Sequence, residues 1–220
     1  MFKGKVLLFA LLLVFSTSLY AGEVDDCLST VSLVGCTSMQ LSMCPAADFD
    51  QIRDKCGTSG YISIVVKDGS DVGIAGIPWT DYWMGACDPA YEIGLCADGV
   101  VADSLTNSDG ETTISGFIGG GGCVLSGGVY MAIQNKTILD DTGDPGCTLG
   151  NPICLAMEVR SPDYITDGIV DLSDFTAFVN SWNLCAGAGS YNECFDFINN
   201  DCVDLSDFTA FAAHWQHECR

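Results

Sequence analysis

The octapeptide DLSDFTAF stands twice in this chain, at 171–178 and again at 204–211, an identical block offset by 33 residues. A repeat of that fidelity asks for two copies of one local structure. Each copy closes a twelve-residue stretch crowded with side-chain oxygens, DYITDGIVDLSD at 163–174 and DFINNDCVDLSD at 196–207. A twelve-residue calcium loop takes oxygens from positions 1, 3, 5, 7, 9 and 12, position 7 through its carbonyl, with glycine at position 6 for the sharp turn. In the first copy those positions are Asp163, Ile165, Asp167, the Ile169 carbonyl, Asp171 and Asp174, with Gly168 at the turn. In the second they are Asp196, Ile198, Asn200, the Cys202 carbonyl, Asp204 and Asp207. The expected ion is Ca2+, which is hard and prefers oxygen.

The residues after position 12 carry a helical period. Phe175, Phe178, Val179 and Trp182 fall at i, i+3, i+4 and i+7, and Phe208, Phe211, Ala212 and Trp215 do the same. Each unit therefore reads as a loop feeding an amphipathic helix, with repeats at 163–182 and 196–215 and with apolar faces that bury one another. Ser173 and Ser206 stand where caps are expected. Val170 and Val203, at position 8, suit a short strand by which paired loops touch.

Duplicated loop–helix units with Asp at position 12 and no clear preceding helix resemble dockerin modules, the calcium-dependent docking segments of secreted bacterial carbohydrate-degrading proteins. Residues 163–219 carry that resemblance. VVKDGSDVGIAGIP and TNSDGETTISG resemble, more distantly, the strand–turn stretches of immunoglobulin-like or transthyretin-like sandwiches. The resemblance implies a cohesin-like partner or attachment to a cell-surface component, and an association with polysaccharide. The chain departs from the pattern in three places. Ile165 and Ile198 replace an oxygen donor at position 3, and Asp201 replaces glycine at position 6 of the second loop. The first loop is thus the stronger site by ligand count, and a cystine through Cys202 is one way to hold the second.

The start of the chain reads as a secretory leader. Lys3 and Lys5 precede the apolar run 6–15, and small residues lead to a cleavage point after Ala21. Ten apolar residues fall well short of the ~20 a bilayer-spanning helix needs. Removing that leader leaves 6 Lys and Arg against 29 Asp and Glu, a net charge of −23. Such a balance excludes nucleic acid as a partner, because phosphate binding needs clustered cations. All 13 cysteines follow the leader, which reads as a disulfide framework in an oxidising compartment, with one thiol left over. No CxxC or HExxH supports zinc.

Between the leader and the repeats the sequence changes character. Residues 22–60 read as a Cys-rich lead with a helical turn around 48–55. Residues 61–160 read as short strands with Gly-rich turns: YISIV before Asp68-Gly69, an edge strand beyond Pro78, a hairpin turn at Asp109-Gly110, then VYMAIQ and ICLAMEVR. The expected fold class is multi-domain: a mainly-β antiparallel sandwich, immunoglobulin-like, at 61–160, followed by a small α-helical dockerin-like pair at 161–220.

The chain reads as non-catalytic, with carbohydrate binding or hydrolysis by the sandwich as the alternative. Its two histidines, His214 and His217, lie in the tail, where with Cys219 they read as solvated residues and a disulfide. There is no G-x-S-x-G elbow, and Gly119–Gly122 lacks the Lys-Ser/Thr of a phosphate loop, so it reads as a flexible turn. Carboxylates for glycoside hydrolysis are plentiful, but a sandwich of this size has little room for both a core and a deep cleft. Trp79, Tyr82 and Trp83 read as core or edge packing, with a sugar-stacking platform as the rival. The expectation is a secreted, non-catalytic, calcium-binding protein.

Overall fold

Strict alternation decides the first sheet. In the computed structural model, which describes residues 22–52, 60–140 and 150–219, the segment YISIV forms β3 (Tyr61–Val65) with Ile62 and Ile64 fully buried. It is flanked by β1 (Thr30–Val34) and β6 (Glu111–Ile114), both antiparallel, which sets Ile62 opposite Leu33 on one side and Ile114 on the other. The turns fall where the sequence places them. Gly110 (φ +79°) closes the turn at 107–111, and a Cβ there would strike the Val66 carbonyl.

A second sheet runs in the order β2 (Met39–Ser42), β10 (Met157–Arg160), β7 (Gly120–Val124), β5 (Glu92–Leu95). A third joins β4 (Tyr82–Ala86), β8 (Val129–Ile133) and β9 (Lys136–Thr137), with β4 at the edge beyond Pro78 as expected. The chain is mainly β, with several sheets and two α-helices among the described residues. Three expectations need correction. The fold is not purely antiparallel, since β10 runs parallel to β2. The described part of the expected lead, residues 22–52, is no separate unit: it supplies β1 and β2, and Leu41 and Met43 are fully buried in the core. Of the helical turn expected around 48–55, Gln51 bridges to Phe117 and Ile52 takes a 3-10 conformation, while residues 53–55, like the leader at 1–21, lie outside the described residues.

The glycine run is the third correction. It is no flexible turn but β7, the buried strand between β10 and β5. Side chains are missing there because backbone and carboxylate fill the space. A Cβ on Gly120 would lie 2.6 Å from the Gly94 carbonyl, and one on Gly121 would collide with the Asp163 carboxylate. Gly122 sits at φ +111°, which side-chain-bearing residues avoid, and donates to the Asp163 carbonyl at 2.7 Å.

Four disulfides are defined among the described residues: Cys87–Cys154, Cys96–Cys219, Cys123–Cys194 and Cys185–Cys202. Cys27 and Cys36 are disulfide-bonded as well. Two of the bridges, Cys96–Cys219 and Cys123–Cys194, run from the second sheet into the segment after residue 160. Among the described residues the free cysteine is Cys44, fully buried, its thiol pushed up to about 12 by burial and by its hydrogen bond to Asp48. No helix among the described residues is long and apolar enough to cross a membrane.

Close packing at β7 makes a prediction. Gly121→Ala should lower stability by about 1–3 kcal/mol through forced displacement. Gly189→Ala, with open space around its Cβ, should stay within about 0.5 kcal/mol of the parent. Urea denaturation of both variants measures the difference.

Candidate metal centre

After residue 160 the chain repeats its backbone as faithfully as its sequence. α1 (Leu172–Val179) and α2 (Leu205–Ala213) each start at a capping box. The caps are Asp171 and Asp204, not Ser173 and Ser206. Asp171 is extended, and its carboxylate accepts from the Ser173 N–H at 2.6 Å, while Asp174 accepts from the Asp171 N–H at 2.9 Å. Asp204, Ser206 and Asp207 do the same in the second copy. Asp171 and Asp204 are the extended residues that immediately precede their helices, so their carboxylates reach the N–H groups of the first turn, whereas Ser173 and Ser206 already lie inside it. Left-handed residues also match at the 33-residue offset: Thr166 with Asn199, Gly168 with Asp201, Asn183 with Gln216.

Each loop folds around two buried carboxylates. Asp163 accepts from the N–H groups of Asp167 and Gly168, at 3.2 and 3.1 Å. Asp196 accepts from those of Asn200 and Asp201, at 3.0 and 2.9 Å. At position 12, Asp174 receives the Ile165 N–H at 2.9 Å and Asp207 the Ile198 N–H at 3.1 Å. At position 3 the isoleucines thus contribute a backbone N–H to the loop rather than a side-chain oxygen, and their side chains are exposed. Asp163, Asp174 and Asp207 are fully buried, and Asp196 nearly so.

The expected ligands divide on inspection. One oxygen each from Asp163, Asp167 and Asp174 lies within 4.8 Å of the others. Oxygens on opposite sides of a calcium ion at 2.3–2.6 Å stand about 5 Å apart, so this set fits one ion. Asp171 stands outside that group, with its Oδ1 on the Ser173 N–H; position 9 of such loops often reaches the ion through water. Ile169, whose carbonyl fills position 7, donates its N–H to Asp167 at 3.2 Å and bridges to Glu218. Its counterpart Cys202 donates to Asn200 at 3.0 Å, and its cystine with Cys185 holds the loop in which Asp201 takes φ +65°.

The two loops lean on the sheet differently. Loop 1 lies on the bare backbone of Gly121 and Gly122. Loop 2 lies on Arg160, a fully buried guanidinium that donates to the Asp196 carbonyl and to Glu193 at 2.9 Å. Arg160 Nη1 also stands 3.9 Å from Asp196 Oδ2, which accepts from the Tyr191 hydroxyl at 3.0 Å. Part of the charge that loop 2 buries is met by the protein itself, and loop 1 has no such cation beside it among the described ion pairs. Gly121, Gly122, Arg160 and Tyr191 join the site although no motif in the sequence assigns them to it. The four consecutive glycines ahead of Cys123 were the visible signal.

Val170 and Val203 do not pair with each other as strands, although both lie in one shared hydrophobic core. Val170 exchanges backbone hydrogen bonds with His217 and Gln216, both at 2.9 Å, whereas β12 (Cys202–Val203) pairs with β11 (Leu184–Cys185). Each loop is therefore tied to the segment that follows the other loop's helix. Phe178 stacks on Phe211 at 5.2 Å and Phe175 lies 6.3 Å from Phe208, so the helices share a core. Val179, Trp182 and Trp215, expected to be buried, remain exposed. They line two apolar grooves of about 310 and 350 Å³ flanking Phe175 and Phe208. Elsewhere Tyr82 is core, but Trp79 and Trp83 are 56% and 43% exposed.

No protein-family model matches this chain, and no curated protein matches it. A solved structure of a type II cohesin–X-dockerin complex from Acetivibrio cellulolyticus, a C-terminal interface mutant, is similar at a TM-score of 0.27 and 13% identity. The alignment covers 83% of this chain and 97% of that one. A likeness that loose carries no weight for fold or function.

Burial sets the pH response. Removal from water, with Asp174 alongside, pushes Asp163 up to about 6 from an ordinary 3.8, and burial raises Asp174 and Asp207 in the same direction. A carboxyl raised in the folded state favours folding while protonated, and loses that contribution as pH climbs through its folded value. In chelator, melting temperature should fall as pH rises from about 4 through about 6. Calcium requires the ionised carboxylates, so the rise in melting temperature that it produces should grow over the same interval. Paired melts with chelator and with calcium across that range check both signs.

Proposed function

We propose that this is a secreted, non-catalytic calcium-binding protein whose two loop–helix units form a dockerin-like module serving docking, attachment or stabilisation at the cell exterior. The observation that carries the reading is the burial of Asp163 against Asp174, with Asp167 in reach and no positive side chain to neutralise them in the described ion pairs. All-oxygen donors held by backbone N–H groups suit a hard cation, and Ca2+ is abundant outside cells. Asp163, Asp167 and Asp174 would hold it in loop 1, with the Ile169 carbonyl and Asp171 completing the shell. Asp196, Asn200, Asp207, Asp204 and the Cys202 carbonyl would do so in loop 2. Once bound, the ion supplies charge neutralisation, and binding becomes folding energy for the module. Arg160 makes loop 2 the weaker site. The disulfides and the leader-like start support an extracellular setting.

Docking is the use that the exposed surface favours. Leu172 and Leu205, at position 10 of the two loops, are each 67% exposed. The two grooves beside Phe175 and Phe208 repeat each other at the 33-residue offset: Phe175, Phe178, Val179 and Trp182 in one, Phe208, Phe211, Ala212 and Trp215 in the other. The occupant we propose is a cohesin-like protein with an apolar face, on the strength of the sequence resemblance. Polysaccharide binding through exposed Trp79 and Trp83 is the second reading, since flat, solvent-facing indoles are what sugar stacking needs.

Two measurements test this. At a hundredfold excess over Kd, one filled site adds about 2.7 kcal/mol, which should raise the melting temperature by about 5–10 °C. Asp163→Asn should abolish most of that rise, and an unchanged melt on adding calcium would refute the metal reading. Calcium-dependent capture of a secreted partner from the producing organism, lost in a Leu172→Arg, Leu205→Arg variant, would support docking. Capture insensitive to both changes would remove it.

A further inference from the structure

The leftover cysteine and the two tail histidines, far apart in sequence, meet in the fold. We propose that Cys44, Asp48, His214 and His217 form a second metal centre, a tetrahedral site for Zn2+ that ties the loop after β2 to the tail after α2. One ligand atom from each of the four lies within 4.8 Å of all the others. Zinc bonds of about 2.3 Å to sulfur and 2.0–2.2 Å to nitrogen and oxygen imply tetrahedron edges of about 3.3–3.6 Å. The two Nδ1 atoms are 3.4 Å apart. Asp48 Oδ1 lies 3.4 Å from His214 Nδ1 and 3.2 Å from His217 Nδ1. Cys44 Sγ lies 3.9 Å from His217 Nδ1 and 2.9 Å from Asp48 Oδ1. The edges scatter about the values a zinc tetrahedron requires.

A plain hydrogen-bonded cluster explains this arrangement less well. Sγ and both Nδ1 atoms converge on the single oxygen Oδ1, while the two Nδ1 atoms face each other. Three donors crowd one carboxylate oxygen, and protons on both nitrogens would oppose each other. A cation at the centre accepts a lone pair from each group and removes the conflict. The donor set is also the wrong one for calcium and the right one for a borderline-soft ion: thiolate, two imidazoles, one carboxylate.

The backbone prepares the site. Ala47, left-handed at φ +55°, donates its N–H to the Cys44 carbonyl at 2.9 Å and turns the chain so that Asp48 returns over Cys44. Gln216, left-handed at φ +62°, lies in the turn closed by the His217 N–H on the His214 carbonyl at 3.0 Å. Phe49 stacks on the His214 ring at 4.2 Å and 20°, which fixes its plane. The imidazoles keep 12% and 28% of their surface in water, an entry route for the ion, while Cys44 closes the far side. Cys219, which the sequence sets beside the histidines, is committed to Cys96 and plays no part. Thiolate ligation displaces the Cys44 proton to solvent as the Zn–S bond forms, with no change of oxidation state.

The test keeps calcium in excess so that the carboxylate loops are filled. The full chain, stripped of other metals, is titrated with Zn2+ against a chromophoric competitor and, separately, with Co2+. One zinc per chain is expected, and Co2+ should show a thiolate-to-metal charge-transfer band with the strong d–d absorption of tetrahedral cobalt. Cys44→Ser should erase that band. Cys44→Ser and His217→Gln should each weaken zinc binding about tenfold or more, and leave the melting-temperature rise with calcium in place. Should Cys44→Ser fail to fold, His217→Gln, at a partly exposed side chain, gives the same reading. Cobalt bound without the thiolate band, or zinc affinity unaltered in His217→Gln, would overturn the proposal.

Discussion

Two carboxylates with no water around them, Asp163 and Asp174, set the terms for everything near them. Burying one such charge is expensive, and burying two side by side is tolerable only if something positive or many donors surround them. The backbone supplies the donors: Asp167, Gly168, Ile165 and Asp171 all turn their N–H groups inward. That requirement explains the left-handed Thr166 and Gly168 and the start of α1 on a capping box. It explains β7 as well, since a strand must shed its side chains where Asp163 lies against it. Loop 2 obeys the same geometry and differs in its floor, where Arg160 supplies a fixed cation.

The loop–helix units are built into the sheet rather than hung from it. Cys123–Cys194 and Cys96–Cys219 cross the seam, and Arg160 and Gly122 hydrogen-bond across it. The crossed pairing of each loop with the tail of the other helix closes the module on itself, with Cys185–Cys202 as its internal staple. What remains free is the face carrying Leu172, Leu205 and the two aromatic grooves. A surface left apolar on a rigid base needs little reordering when a partner meets it, which favours binding.

Legibility tracked the range of the interaction. The loops, the helical period and the turns at Asp68 and Gly110 were readable because each rests on residues within a few positions of one another. The cap was misassigned by two residues, since Ser and Asp are both good acceptors and only the extended backbone of Asp171 separates them. The glycine run was misread because glycine signals a turn and a crowded strand alike, and the crowding residue stands some forty positions away. Residues 22–60 were misread because strand partners β3 and β10 decide their role.

By itself, the sequence determined two matching loop–helix units, a mainly-β remainder, a strongly acidic surface and an odd cysteine, all consequences of local pattern or of simple counting. Tertiary structure alone decided which of the described cysteines stays free, which carboxylates lose their water, and that Cys44 and Asp48 come to face His214 and His217. The reason is physical: desolvation and ligand convergence depend on distances between segments far apart in the chain, and no spacing within one segment encodes them.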